Sequence, residues 1–350
     1  MRRYWKCRCG RDGAYAADAL LGVEGERSTK TVQKHWCRLS ADLSFARTRE
    51  TMQELLGVDC SPETVRKVAH RHGRKMAEFQ APKSAPQQTF EKAFQEAAGD
   101  VEFTTDAGKV NTREEGWKDL KIGVISKRQA GEPASLDEWK SQRLPAANMV
   151  LAFAMIASSK TFRKTWRPRL RRLGVQAWAT LHVLADGAGW IWKAVGRVLT
   201  GCTQTLDVFH ACQRISQCAD AVFGEQTTES REGYRRGRRL LLEKGWEGVC
   251  AWAGELLSVD LAAERERRRG AVEKMLAYFG KHIKRLGYAE NLKKGRAIGS
   301  GQVEGQAKTL GLRLKARGAR WKLRNVRSIA SLVCVRQSVK QWEAYWNTAA

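Results

Sequence analysis

Thr180-Leu-His-Val-Leu-Ala-Asp186-Gly-Ala-Gly-Trp-Ile-Trp-Lys-Ala-Val-Gly-Arg-Val-Leu199 is the stretch on which the fold turns. Residues 180–185 form a short apolar run that reads as a strand ending at Asp186, and residues 189–199 read as a helix. Upstream, residues 101–105 are β-prone and end at Asp106, residues 120–126 (Leu-Lys-Ile-Gly-Val-Ile-Ser) read as a second strand, and residues 148–156 as a third. A basic helix is predicted over 158–173 and a fifth strand over 204–208. Three consecutive strands followed by strand–helix alternation predict a mixed α/β sheet. From 209 to 287 the pattern turns helical and heavily charged, which reads as an insertion, and the chain beyond 297 is again mainly helical.

Ahead of the sheet, the spacing predicts a helix over 41–56 closed by Gly57, a usual C-cap residue. Ser61-Pro62-Glu63 then supplies an N-cap, a proline at the first helical position and an acid in the first turn of a helix over 63–79. That second helix carries Arg66, His70, Arg71, Arg74 and Lys75 on or near one side. Two helices joined by a short turn, the second basic, fit either a helix-turn-helix that reads DNA or an ordinary helical hairpin. Residues 81–99, with Pro82, Pro86 and several Gln, read as a linker.

The chain holds 63 Lys or Arg against 37 Asp or Glu, a formal net charge of +26 over 350 residues. Apolar residues make up 43%, enough for a substantial core, so a disordered basic tail is excluded. No apolar run approaches the roughly 18 residues of a membrane span, and Met1-Arg-Arg-Tyr-Trp-Lys6 has no apolar segment behind it. A cytoplasmic, strongly cationic protein with a polyanionic partner is therefore expected, nucleic acid above all. The charge is concentrated. Residues 101–150 hold eight basic and eight acidic residues, whereas residues 281–340 hold sixteen basic residues against Glu290 and Glu304 alone, a net of +14.

Nine cysteines, odd in number and mostly in apolar surroundings, read as reduced thiols. Only Cys7-x-Cys9 has ligand-like spacing, and a structural zinc site needs four ligands. His35 and Cys37 are the candidates to complete it, the other reading being a zinc site cut short.

Asp106 and Asp186 each end a predicted strand, where carboxylates point into the crevice at which α/β sheets bind ligands. Two such acids on neighbouring strands can share Mg²⁺, which takes oxygen ligands and phosphate oxygens. A pair of ions would serve in-line displacement at phosphorus. The third acid is Glu304, in Ile298-Gly-Ser-Gly-Gln-Val-Glu304-Gly-Gln-Ala-Lys308, placed in the first turn or two of a helix. A salt bridge to Lys308 or Arg313 is the alternative reason for an acid in so basic a segment. Trp190 and Trp192 read as core residues rather than base-stacking groups.

These residues resemble a family. Thr105-Asp106, Gly116-Trp117-Lys118, Ala185-Asp186-Gly187-Ala188-x-Trp190-Ile191-Trp192, Leu206-Asp207-x-Phe209-His210-Ala211 and the C-terminal Ile298-Gly-Ser-Gly-x-Val-Glu304 with Arg313-Leu314-Lys315-x-x-Gly318-x-x-Trp321 are similar to bacterial insertion-sequence DDE transposases of the Kra type, distantly Mutator-like. The resemblance spans residues 1–340. It implies an RNase H-like mixed-sheet core with a helical insertion, preceded by a small helix-turn-helix-like domain. It also implies that Asp106, Asp186 and Glu304 hold two Mg²⁺ (or Mn²⁺) ions. Asp207 and His210 carry over as a pair near the active site, in contact with DNA or orienting the scissile phosphate; a plain structural hydrogen bond is the other reading.

The organisation so implied is a zinc-binding remnant over 1–38, a helix-turn-helix-like region over 39–81 and a linker over 82–99. The core follows over 100–215, a helical insertion over 216–290, and the remainder of the core over 291–345 with Glu304 and the basic helices. Contacts to double-stranded DNA, both inverted repeats and target, are expected from Arg66, Arg71, Arg74, His210, Lys308, Arg313, Lys315, Arg317 and Trp321. Arg313, Lys315 and Arg317 are expected to face DNA near the metals. The enzyme is expected to act as a homo-oligomer on DNA, associated with the nucleoid and with no membrane partner. Relatives begin with a longer cysteine-containing region and have Gly after the first acid, where this chain has Ala107. A shortened, inactive DNA-binding remnant and an RNase H-like nuclease that cuts without joining are the rival expectations.

Overall fold

β1 (Asp100–Thr112) and β2 (Gly116–Arg128) form a long antiparallel hairpin in register from Asp100↔Arg128 to Thr112↔Gly116. The computed structural model in which this hairpin lies describes residues 23, 28–83, 88–258 and 265–348. Gly116 closes the turn with φ +63°, a conformation that a side chain disfavours. β3 (Met149–Ile156) pairs antiparallel to β2. β4 (Leu181–Ala185) runs parallel to β1 over Val101–Thr105, and β5 (Thr203–Leu206) runs parallel to β4. The strand order is β3-β2-β1-β4-β5, a five-stranded mixed sheet as the sequence pattern predicts.

One strand end differs from expectation. β1 does not stop at Asp106 but continues to Thr112, because β2 supplies a hydrogen-bonded partner for its whole length. β4 does stop at Ala185, opposite Thr105. Asp106 is therefore the first residue of β1 beyond the edge of β4.

Alternation along the strands divides the core in two. Val110 of β1, Leu120, Ile122 and Val124 of β2, and Ala152 of β3 pack with α13 (Gly301–Leu314), α14 (Leu323–Gln337) and α15 (Val339–Thr348). The same cluster includes Trp36 of α1 (Lys30–Ser40), Met52 of α2 (Phe45–Leu56) and Val65, Val68 and Met76 of α3 (Pro62–Phe79). On the other face Phe103, Ile125, Leu151 and Phe153 meet Phe90 and Phe94 of α4 (Gln88–Glu96). They also meet α5 (Ser159–Arg163), α6 (Trp166–Arg172) and α7 (Gly189–Val198) through Phe162, Trp166 and Ile191.

Three expectations are corrected here. The segment read as a linker contains α4, whose Phe90 and Phe94, one helical turn apart, are buried in the core. The basic helix expected over 158–173 is two helices, broken at Lys164 and Thr165. Pro168 is the cause, since its ring would clash with the carbonyl four residues back. The N-terminal helices, finally, have no core of their own. α3 lies against α14 so closely that a Cβ on Gly73 would collide with the Ser328 carbonyl.

After β5, α8 (Val208–Phe223), α9 (Thr228–Lys244), α10 (Trp246–Ser258), α11 (Arg265–Gly280) and α12 (Tyr288–Lys293) build a helical unit around Leu241, Val249, Trp252, Phe279 and Tyr288. Among the described residues no helix is long and apolar enough to cross a membrane.

Candidate active site

Asp106, Asp186 and Asp207 stand nearly abreast. Thr105 is in register with Ala185, Ala185 with Leu206, and each acid is the next residue on its strand. The Asp207 N–H donates to the Ala185 carbonyl at 2.8 Å, which holds the end of β5 against β4. The three carboxylates thus lie side by side on three adjacent parallel strands, Asp186 and Asp207 just past the ends of β4 and β5 and Asp106 where β1 runs on beyond them.

Asp207 is wholly buried and caps α8. Its Oδ1 accepts from the His210 backbone N–H at 2.9 Å and lies 3.0 Å from His210 Nδ1. Its Oδ2 accepts from the Ser300 N–H at 2.7 Å and the Ser300 hydroxyl at 3.0 Å. Burial would raise the Asp207 pKa, but the hydrogen bonds from His210 and Ser300 outweigh it and hold the carboxyl below its ordinary value. His210 is raised in turn. The hydrogen bond to Asp207 is the main cause, opposed by partial burial and reinforced by the charges of Asp207, Asp186 and Glu304.

Ser300 precedes α13, and its hydroxyl also lies 2.9 Å from Glu304 Oε1, one turn into that helix. The Gly299-Ser300-Gly301 turn therefore links Asp207 to Glu304. Carboxylate or imidazole atoms of Asp207, His210 and Glu304 lie within 4.8 Å of one another. Glu304 forms no ion pair with Lys308 or Arg313 among the described residues, so the alternative reason for its presence falls away.

The three acids singled out from the sequence share a trait that Asp207 lacks. Asp106 Oδ1 accepts from the Ala107 N–H at 2.6 Å, and Asp186 Oδ1 from the Ala188 N–H at 2.9 Å. Glu304 has its Ser300 contact on Oε1. In each, one oxygen is held and the other has no hydrogen-bond partner among the described residues. Asp106 is raised above the ordinary carboxylate pKa by burial, with the Asp186 and Glu304 charges adding to it and the Ala107 N–H and His210 opposing. Asp106 and Asp186 are not part of the 4.8 Å group of Asp207, His210 and Glu304, but the charges of Asp186 and Glu304 reach Asp106, and carboxylate oxygens left unengaged are the ligand type Mg²⁺ takes. Asp207, with both oxygens engaged, is an anchor.

Sequence reading missed two neighbours. Tyr278 of α11 packs so closely on the Asp186-Gly187 turn that a Cβ at Gly187 would strike its hydroxyl, and Arg214 of α8 lies 4.9 Å from its ring. Burial raises the Tyr278 pKa. A glycine directly after the second acid was the available signal. Trp192 is buried, as expected, and its indole N–H donates to the Asp186 carbonyl at 2.7 Å.

Of the expected DNA contacts, Arg66, Arg313, Arg317 and Trp321 line one cavity, whereas His210 lies beside Asp207 and Glu304. Arg74, Lys308, Lys315 and Arg317 are exposed; Arg66 pairs with Glu63 at 2.6 Å, and Arg71 donates to Gln33 Oε1 at 2.8 Å. Arg313 does not face Asp106, Asp186 and Glu304. It is 5% exposed, donates to the Ser40 carbonyl at 2.7 Å and lies 5.0 Å from the rings of both Phe45 and Trp321. Trp321 is likewise buried and donates to the Leu314 carbonyl. The cause is helical spacing: Arg313, nine residues after Glu304, is carried roughly 14 Å along α13 into the joint with α2.

Cys7 and Cys9 lie outside the described residues. Cys37 is fully buried in the core and His35 is exposed, so the two do not share a site. The cysteines from Cys37 to Cys334 are free thiols. Compared with known proteins, the chain matches no family model and no curated sequence.

Proposed function

We propose that this chain is a DDE transposase that cleaves and joins DNA strands. The observation that carries the reading is that Asp106 on β1 feels the charges of both Asp186, at the end of β4, and Glu304, on α13, each acid having one oxygen held and one unengaged. The strand order, with β2 antiparallel to its neighbours and β1, β4 and β5 parallel, supports an RNase H-like core. The helical unit between Asp207 and Glu304 supports the insertion expected of such enzymes. The +14 charge over residues 281–340 supports a DNA substrate.

In this reading Asp106, Asp186 and Glu304 hold Mg²⁺, which when bound supplies Lewis-acid activation of water or a 3′-hydroxyl and charge neutralisation at phosphorus. The chain's own residues do the rest. The Ala107 and Ala188 N–H groups and the Ser300 hydroxyl fix the rotamers of the three acids, so that little reorganisation remains for the reaction. His210, kept protonated to a higher pH by Asp207, presents a donor to a non-bridging phosphate oxygen. Tyr278 and Arg214 close the side of the site formed by the helical unit.

The test is strand transfer with labelled duplexes carrying the DNA ends that flank this reading frame. The wild-type chain in Mg²⁺ is expected to cut and to join pre-cut ends, with both steps lost in Asp186→Asn. Joining by Asp186→Asn in Mg²⁺ overturns the assignment. Cutting without joining by the wild type replaces it with a nuclease.

A further inference from the structure

A second site lies at the far end of α13. Between α2, α3 and the segment from Arg313 to Asn325 is a cavity of about 530 Å³. Arg66, Arg113, Arg313, Arg317, Arg320 and Arg324 line it, against one acid, Asp42, which is already hydrogen-bonded by Arg336. So one-sided a lining calls for an anion.

Two side chains within it lack the partners their burial demands. His70 is 4% exposed and neither ring nitrogen has a hydrogen-bond partner. Arg313, 5% exposed, uses Nε on the Ser40 carbonyl and leaves Nη2 unpartnered. Buried polar groups without partners are costly and rare in native structures, so two at one cavity mark a place where a ligand completes the structure. The rings hold both groups in place. His70 lies 5.5 Å from Phe45 and 6.4 Å from Trp321, edge to face, and the Arg313 guanidinium sits between the same two rings.

The charge rules out a carboxylate-poor apolar ligand, and the donor set fits a tetrahedral oxyanion: a planar guanidinium N–H, an imidazole N–H, and a rim of arginines. We propose that this cavity binds a phosphate group of the DNA backbone, gripping the duplex along α13 away from the acids. The proposal rests on the reading of the chain as a DNA-processing enzyme and deepens it. The nine-residue separation of Glu304 and Arg313 corresponds to roughly 14 Å of helix, or within about four base pairs of DNA. Burial, with the charges of Arg66, Arg74 and Arg313, lowers the His70 pKa to about 4. The ring is thus neutral at pH 7, with one N–H to give.

The test uses the full chain in magnesium-free buffer with EDTA, so that metal-dependent chemistry does not enter. In the first arm, inorganic phosphate is expected to raise the melting temperature by about 2–4 °C over chloride at equal ionic strength. That rise is expected to vanish in His70→Phe, which keeps a ring in the aromatic box, and in Arg317→Gln/Arg320→Gln, whose side chains are exposed. In the second arm, the slope of log affinity against log salt for a labelled duplex is expected to fall by about one in the double variant. Equal melting in phosphate and chloride with an unchanged slope overturns the pocket. A phosphate-specific rise with an unchanged slope overturns DNA as the source and assigns the pocket to a free phosphate ester. Neither arm reads cleavage, so a chain that binds as expected but cannot join strands sinks the transposase reading alone.

Discussion

Asp207 and Ser300, 93 residues apart, meet at one carboxylate oxygen, which accepts the serine backbone N–H and lies 3.0 Å from the hydroxyl, whose single proton it shares with Glu304 Oε1. The other oxygen caps α8. A single buried side chain thus fixes the start of the helical unit and the turn that delivers Glu304.

Removing that side chain leaves the α8 N-terminus uncapped and the Ser300 N–H orphaned in the interior. Asp207→Ala is expected to destabilise the fold by about 3 kcal/mol, read as a lower urea midpoint with an unchanged slope. An unchanged midpoint would remove Asp207 from its anchoring role.

Ser300→Ala is the milder probe. The Ser300 N–H still reaches Asp207, but Glu304 loses the hydroxyl on Oε1. Stability is expected to fall by about 1 kcal/mol and the rate of strand cleavage by about tenfold, with duplex affinity unchanged. Equal rates in variant and wild type would show that Glu304 needs no such support.

The acids make stability depend on pH and on cations in opposite senses. Asp106 has a raised pKa, so its ionised form is disfavoured by folding; stability falls as pH rises from the ordinary carboxylate range through the folded value. Asp106→Asn is therefore expected to melt higher than wild type at neutral pH in EDTA and to lose that advantage in acid. Added Mg²⁺ is expected to raise the wild-type melting temperature and not that of the variant. His210 works the other way: its raised pKa contributes stability fully below about 6.5, and the contribution fades as pH rises through the folded value. Asp207, with its lowered pKa, contributes above the ordinary carboxylate range and loses that contribution as pH falls. Melting curves across pH for wild type, Asp106→Asn and His210→Gln separate these effects.

Much of this arrangement is legible in the sequence because strands buried on both faces read as short apolar runs. Residues 120–126, 148–156 and 180–185 stood out for that reason, as did the acids that follow or interrupt them. The misreadings have physical causes. Pro82, Pro86 and the glutamines of the 81–99 segment hide the Phe90–Phe94 pair, whose spacing of four was the signal for α4. The basic side of α3 reads equally as a helix presented to DNA or as one arm of a hairpin, and what the sequence hides is its other side: Val65, Val68, Ala69, His70, His72, Gly73 and Met76 are buried by tertiary contacts that a helix-by-helix reading does not contain. The burial of Arg313 was equally hidden, since its partners Phe45 and Ser40 lie more than 260 residues away in sequence.

The α3–α14 contact offers a further test. Gly73→Ala places a methyl against the Ser328 carbonyl, and the helices must part to admit it. A loss of about 1–3 kcal/mol in urea unfolding is expected, together with weaker duplex binding, because the same two segments frame the arginine-lined cavity.

That shared core also dictates when the protein can come into being during synthesis. α1, α2 and α3 are made before the sheet, but much of the apolar side of α3 is covered by α14, some 250 residues later. The loop closed by that contact, from Gly73 to Ser328, spans some 255 residues, so the joint forms late and slowly relative to the hairpin and the helical unit. A nascent chain stopped before α14 has neither a closed cavity for phosphate nor the support for α13 that Glu304 requires. The arginine-lined cavity and the support for Glu304 are thus acquired together, once α14 has been made.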